Sequence, residues 1–167
     1  EFFEWDHYPK GDVYDHVTHA QYYYHAHPTG QRNDEHGHFH LFLRPKGMQK
    51  GIHPKDLADA EPAKDDNDAL SHLVAISMNP AGFPNRLFTT NRWVTGETWY
   101  DADDVIAMLD RFVIDLARPS LPVNIWITAM VRLFHPRIEQ LLHERDAAVA
   151  KYLVKYAGEN VYEDRNL

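Results

Sequence analysis

Polar and apolar side chains alternate between residues 19 and 44, as is typical of half-buried β-strands. In the second part of this segment, one face carries Phe39, Leu41 and Leu43, and the other carries His36, His38, His40, Phe42 and Arg44. In the first part, one face carries Ala20, Tyr22, Tyr24 and Ala26, and the other carries His19, Gln21, Tyr23, His25 and His27. We therefore predict two strands, each with one face on a core and one face lined by imidazoles.

Eight residues, Pro28 to Glu35, separate the two histidine-rich runs, which is enough to turn the chain back on itself. A hairpin centred there pairs His27 with His36, His25 with His38, and Tyr23 with His40. Opposed residues on one face of an antiparallel pair have Cβ atoms about 4.5–5.5 Å apart. We therefore predict that several imidazoles meet at one place, close enough to share a metal ion.

The remaining strands are predicted on either side of this hairpin. Residues 2–8 are aromatic and predict a first strand that ends in a turn at residues 9–12. Residues 70–78 and 86–94 predict a second hairpin, within which His72 lies in register with apolar residues and is expected to be a core histidine. Residues 45–69 lack periodicity and are expected to form a long loop, either a lid over a site or a mobile excursion.

Residues 101–157 are predicted to be helical. Asp101 is a good N-cap, and apolar residues follow it at three- and four-residue spacing until Arg118. A second helix follows, and a third runs from a break at His135 to about Tyr156. Strands first and helices last indicate a single α+β domain over residues 1–167: an antiparallel sheet of four to six strands with a histidine-rich hairpin, backed by three C-terminal helices.

Composition excludes several classes of protein and of site. The formal net charge of −8 argues against a nucleic-acid groove or an anionic-membrane surface, both of which need a basic patch. No cysteine is present, so any metal must take nitrogen and oxygen ligands. No apolar run has the length of a membrane span. The chain begins at Glu1 without an initiator Met, so we expect a trimmed N-terminus, and we expect a cytoplasmic protein.

Imidazole is a common protein ligand for Zn, Cu, Fe and Ni. We expect one divalent transition metal, with Zn, Fe, Cu, Mn and Ni left open. The predicted pool of ligands is His25, His27, His36, His38 and His40, and within it His25, His27 and His38 are expected to cluster most tightly.

Four other side chains are assigned roles around this metal. Glu35, directly before His36, is the nearest carboxylate ligand or catalytic base, and the phenol of Tyr23 is a second candidate catalytic group. Arg44 and Arg92 are expected to anchor a substrate carboxylate.

The function predicted from these residues is metal binding, with a metal-dependent oxidoreductase or hydrolase that acts on a small molecule through activated water or dioxygen as its enzymatic form. The main alternative is a non-enzymatic metal- or ligand-binding protein. Two further alternatives are a solvated sheet face that happens to be rich in histidine and a proton-linked switch built from clustered imidazoles. The oligomeric state stays open.

Two motifs resemble those of known families. His36-Gly37-His38-Phe39-His40 resembles the histidine-triad motif of nucleotide hydrolases and transferases. This resemblance implies a further alternative function, a nucleotide phosphotransferase or hydrolase in which His38 attacks an α-phosphate. Gly37 stands where that family has a hydrophobic residue. His25-Ala26-His27 followed by Glu35 resembles the metal-binding motif of cupins and related oxygenases. The helical final third leaves too few residues for a cupin barrel, so that resemblance concerns the chemistry and not the fold.

A broader resemblance covers most of the chain. The stretches HAQYYYHAH, EHGHFHLFLRPKGM, ALSHLVAISM and LFTTNRWVTGETWY are similar to an uncharacterised bacterial family with a domain of unknown function. That resemblance implies no activity.

Overall fold

A five-stranded antiparallel sheet, with the strands side by side in sequence order, forms the frame of the protein. The computed structural model describes residues 3–28, 30–32 and 34–165. The strands are β1 (Tyr8–Tyr14), β2 (Ala20–Ala26), β3 (Gly37–Leu43), β4 (Ser71–Met78) and β5 (Pro84–Phe88). The helices are α1 (Arg92–Thr95), α2 (Ala102–Leu109), α3 (Leu121–Leu133) and α4 (His135–Lys155), and a 3-10 turn covers Pro45–Gly47. The predicted α+β class, with three C-terminal helices on an antiparallel sheet, is confirmed.

The hairpin formed by β2 and β3 has the predicted register. Tyr23 lies opposite His40 and His25 lies opposite His38. The backbone N–H of His27 donates to the carbonyl of His36 over 3.0 Å, which continues the pairing one step past the strands.

One face of this sheet packs on the helices. Leu41 and Leu43 of β3 are fully buried in a cluster that also contains Val105 of α2, Ile127 of α3 and Leu142 of α4. Because side chains alternate along a strand, burial of this face places the histidines on the opposite one. The predicted division of the hairpin into an apolar face and a histidine face is therefore confirmed.

The predicted first strand is wrong. Residue 2 lies outside the described residues, and β1 runs instead from Tyr8 to Tyr14, through the segment expected to be a turn. β1 is an edge strand, the place in a sheet where a proline such as Pro9 is tolerated. The pairing register shifts between Tyr8 and Val13, and Gly11 within that stretch has a φ of 85°. The residues that favour a turn are thus absorbed by a bulge.

The second hairpin is shorter than predicted. β4 matches its predicted range within one residue, but β5 ends at Phe88, and Arg92 begins the short helix α1. The side chain of Asn91 accepts a hydrogen bond of 2.8 Å from the backbone N–H of Arg92, which favours a helix start over a continued strand.

The first of the three C-terminal helices ends early. α2 stops at Leu109, although the apolar pattern continues to residue 116. The backbone N–H of Ile114 donates to Thr128 Oγ1 (3.1 Å) and that of Asp115 donates to Asp15 Oδ2 (2.9 Å). These side chains replace the helical bonds, so the apolar positions stay buried without a helix. The other two helices, α3 and α4, match their predictions.

The long loop between β3 and β4 is held down at several points. The backbone N–H of Lys55 donates to the carbonyl of Trp99 over 2.8 Å, and the Arg44 guanidinium donates to the Asn67 carbonyl over 3.0 Å. Its role as a lid stays a prediction. Among the helices of the described ranges, none combines the length and the apolar character that a membrane crossing requires.

A buried hydrogen bond ties the sheet to α3 and gives a test of this packing. Tyr22 Oη donates to Asn124 Oδ1 over 2.6 Å. Tyr22→Phe leaves that oxygen buried without a donor, so we expect the free energy of unfolding in urea to fall by about 1–3 kcal/mol. Tyr152→Phe, on half-buried Tyr152 of α4, is the control and should change stability little. Equal stability of the two variants would contradict this account of the sheet–helix contact.

Candidate metal centre

Three histidines of the hairpin converge on the face of the sheet away from the helices. His40 and His38 are 0% and 2% exposed, and His25 is half-buried. The ring centroid of His38 lies 4.4 Å from that of His25 and 4.5 Å from that of His40. One ligand atom from each of the three side chains lies within 4.8 Å of the others, so the group can hold a metal ion. We call these residues the three-histidine group.

Glu35 fixes the orientation of His38. Its Oε1 lies 2.9 Å from His38 Nδ1, and its Oε2 accepts from Ser77 Oγ over 2.7 Å. Burial alone raises the pKa of the Glu35 carboxyl, but hydrogen bonds from His38, Ser77 and Arg86 outweigh burial and lower that pKa to about 2. Glu35 is therefore ionised and can only accept, so His38 Nδ1 is the donor and His38 Nε2 keeps its lone pair.

That lone pair points at His40. The two Nε2 atoms of His38 and His40 are 2.8 Å apart, and His40 Nδ1 lies 3.1 Å from His72 Nε2. Without a cation, one consistent arrangement exists: His72 Nε2–H donates to His40 Nδ1, and His40 Nε2–H donates to His38. With a metal between the two Nε2 atoms, His40 carries its proton on Nδ1 and donates to His72 instead. The same side chains satisfy both arrangements.

The distances fit metal ligation. Two nitrogens at about 2.05 Å from one metal lie roughly 2.9 Å apart at the right angle of a square-planar or octahedral site, and roughly 3.3 Å apart at the tetrahedral angle that zinc prefers. His38 and His40 already stand at 2.8 Å. The Nε2 atom of His25 is buried and has no hydrogen-bond partner among the described residues. A buried polar atom without a partner costs free energy, and a cation at this point would remove that cost.

A second group overlaps the first at His38. His27, Glu35 and His38 also bring one ligand atom each within 4.8 Å, with His27 Nε2 3.6 Å from Glu35 Oε1. Glu35 already receives hydrogen bonds or ion pairs from His38, Ser77, Arg86 and Arg32. With its oxygens engaged in this way, Glu35 is better placed to orient His38 than to bind a metal. Of the three histidines expected to cluster most tightly, His25 and His38 thus share the three-histidine group with His40, and His27 belongs to the second group.

The histidines of the cluster are neutral at neutral pH. Burial lowers the pKa of His25 to about 3 and, despite the opposing effect of Glu35, that of His38 to about 4. Burial likewise lowers the pKa of His72 to about 3 and holds that of His40 well below its ordinary value. Metal ligands must be deprotonated, so the group needs no proton loss at pH 7 to accept an ion.

His36, which was predicted to belong to the ligand pool, lies outside both groups. It is exposed, and its Nδ1 lies 2.7 Å from Tyr24 Oη, on the other face of the hairpin. β3 begins only at Gly37, so the strict alternation of side chains that was extended to His36 does not apply there.

Of the other predicted site residues, Tyr23 lies next to the cluster, and the two arginines do not. Tyr23 is buried between the stacked ring of His7 (3.6 Å between centroids) and the ring of His40 (5.1 Å), so it borders the cluster. Burial raises the pKa of its phenol, which stays protonated.

Two arginines were expected to anchor a substrate, but both form their hydrogen bonds and ion pairs away from the histidines. The Arg44 guanidinium donates to Gln21 and to the Asn67 carbonyl, and that of Arg92 is paired with Asp59 and Glu163. Neither lies in a group with the histidines.

Two buried residues of the site were not predicted as such. His72, expected to be a core histidine, is the partner of His40, and Glu97 Oε2 accepts from the backbone N–H of His72 over 2.7 Å. Burial raises the pKa of Glu97 to about 8. The register of His72 with apolar neighbours could not show that it reaches the histidine face, because that depends on a bulge between Leu41 and Phe42.

The family model for a domain of unknown function, DUF6969, matches residues 1–167. The chain belongs to this family. Curated proteins and solved structures give no match to the chain. The resemblance to an uncharacterised domain family is therefore confirmed, and the functional argument for this DUF6969 chain depends on the geometry of its own residues.

The neutral histidines predict acid sensitivity of the metal-free protein. The pKa values of His38 and His72 are lower in the fold than when unfolded, so their stabilising effect is complete above about pH 6.5 and is lost as pH falls toward 4. At pH 5, each histidine that stays neutral in the fold lowers the free energy of unfolding by about 2 kcal/mol. His25 and His40 titrate in the same direction, and Glu97, whose raised pKa makes the fold gain stability as pH falls, offsets about 3 kcal/mol of the total. We therefore expect the free energy of unfolding in urea to fall by roughly 5 kcal/mol between pH 7.5 and pH 5.

Two variants separate the cluster from other titrating groups. His72→Gln should show a smaller loss over the same pH interval, whereas His53→Ala, on an exposed loop position, should match the unaltered protein. A free energy of unfolding that is equal at the two pH values would show that the cluster is not held neutral.

Proposed function

We propose that this protein binds one divalent transition metal through His25, His38 and His40. The observation that carries the proposal is the pair of Nε2 atoms of His38 and His40 at 2.8 Å, beside the buried and unpartnered Nε2 of His25. One nitrogen from each of these three side chains lies within 4.8 Å of the other two, which supports a set of ligands over a random coating of a sheet face.

Residues around the ligands support this assignment. A metal-bound histidine usually donates its other N–H to a carboxylate, a carbonyl or water, which fixes the ring and raises its basicity. Glu35 is placed to do this for His38 at 2.9 Å, and His72 is placed to accept from His40 at 3.1 Å.

The ligand type narrows the choice of metal. Imidazole suits Zn, Cu, Fe and Ni, whereas Mn prefers carboxylate, carbonyl and water oxygens. With three imidazoles and an orienting carboxylate, the proposed ion is Zn, Fe, Cu or Ni.

We further propose that the site is catalytic and acts on a small molecule. Three protein nitrogens leave a coordination position open, as in catalytic zinc sites with three histidines. At such a position a metal activates water or, for Fe or Cu, takes part in dioxygen chemistry. The Tyr23 phenol, kept protonated by burial, supplies a hydrogen-bond donor next to His40. A storage or structural metal site would instead need a fourth ligand from the protein.

Metal content separates the ligands from their neighbours on the same hairpin. Untagged protein loaded with Zn²⁺ and dialysed should retain about one equivalent by elemental analysis. His38→Ala and His40→Ala should each lose most of it, because two remaining imidazoles bind weakly. His36→Ala, which removes a histidine bonded to Tyr24 instead, is the matched control and should keep full metal. Less than a tenth of an equivalent in the unaltered protein would overturn the proposal.

The open position can be detected by spectroscopy. With Co²⁺ in place of Zn²⁺, we expect visible absorption bands that shift when azide is added, because azide takes the position that the protein leaves free. Absorption bands that do not change when azide is added would show a closed coordination sphere and would support the non-enzymatic alternative.

A further inference from the structure

Two arginines flank the outer side of Glu35. Arg32 Nη1 donates to Glu35 Oε1 over 3.2 Å, and Arg86 Nη2 donates to Glu35 Oε2 over 2.8 Å. The Glu35 carboxylate is fully buried, whereas the side chains of Arg32 and Arg86 are 42% and 55% exposed. The arginines therefore connect the buried carboxylate with solvent.

These arginines carry more charge than Glu35 neutralises. One carboxylate faces two guanidiniums, which leaves one net positive charge. Each guanidinium has five N–H donors, and within the described ranges each of these two has hydrogen bonds to Glu35 alone. Most of their donors are thus directed to solvent. The protein as a whole is acidic, but at this point it has N–H donors and positive charge in excess of their partners. Such a place can bind a small anion.

The ring of Phe88 lies between the two arginines and the three-histidine group. The Arg32 and Arg86 guanidinium carbons lie 6.0 Å and 5.6 Å from the centroid of the Phe88 ring. The same ring lies 5.0 Å from the ring of His38 and 6.5 Å from that of His40. An anion held by the arginines would therefore lie close to His38 and His40, separated from them by the Phe88 side chain.

We propose that Arg32 and Arg86 form the substrate-anchoring part of this site and that its ligand is a small molecule with a single carboxylate. The position beside the metal rests on the proposed function; the anion site itself does not. A planar carboxylate matches the guanidinium fork. In the metal-free protein, its one negative charge balances the one surplus positive charge of Arg32, Arg86 and Glu35, whereas a phosphate dianion exceeds it. These two residues take the role that the sequence assigned to Arg44 and Arg92.

The test is an NMR titration of the arginine Nε–Hε signals with sodium benzoate, with sodium chloride as the control for ionic strength. In Zn²⁺-loaded protein, the signals of Arg32 and Arg86 should shift saturably. Arg86→Gln and Arg32→Gln should each weaken benzoate binding at least tenfold without loss of Zn²⁺. Arg44→Gln, whose guanidinium bonds Gln21 and Asn67, should bind benzoate as the unaltered protein does.

Other outcomes decide the remaining questions. Arg86→Lys keeps the charge but loses the fork, so an affinity between those of the unaltered protein and Arg86→Gln is expected. Unshifted arginine signals, or equal affinity in all variants, would overturn the inference. Tighter binding of inorganic phosphate than of benzoate by the metal-free protein would overturn the carboxylate part of the proposal. Benzoate binding by a protein that takes no Zn²⁺ would refute the metal site and leave the anion site standing.

Discussion

The hydrogen bond from His38 Nδ1 to the buried carboxylate of Glu35 is the interaction on which the candidate site depends. Because Glu35 is ionised, it fixes the tautomer of His38 and turns the Nε2 lone pair toward His40. The tautomers of His40 and His72 then depend on whether a hydrogen bond or a metal joins the Nε2 atoms of His38 and His40. The same carboxylate also holds Arg32 and Arg86, so one buried charge organises both the proposed metal ligands and the proposed anchor for a substrate.

The hairpin can present this group because its two strands come very close at Gly37. A Cβ atom at that position would lie 2.2 Å from the carbonyl oxygen of His25 and 2.7 Å from Tyr24 Oη. Any larger residue would push β2 and β3 apart where His25 faces His38. This explains why a glycine stands where the histidine-triad motif has a hydrophobic residue, and it ties the sequence departure to the geometry of the site.

Strand alternation was enough to predict the hairpin, its register and its two faces, because a period of two leaves one arrangement that buries Leu41 and Leu43. It failed at His36, which precedes the strand, and in β1, where a bulge at the sheet edge absorbs the turn residues. That His72 reaches His40 could not be predicted from its apolar neighbours, since it depends on how β4 pairs with β3, and that pairing includes a register shift.

The most direct test of the central claim is an anomalous difference map from crystals of Zn²⁺-loaded protein, recorded on both sides of the zinc absorption edge. The account predicts one peak, within about 2.0–2.1 Å of nitrogens from His25, His38 and His40, with Glu35 still bonded to His38 Nδ1. A peak bound by His27 and Glu35 instead, or density that shows His38 and His40 joined by a hydrogen bond with no metal nearby, would contradict it.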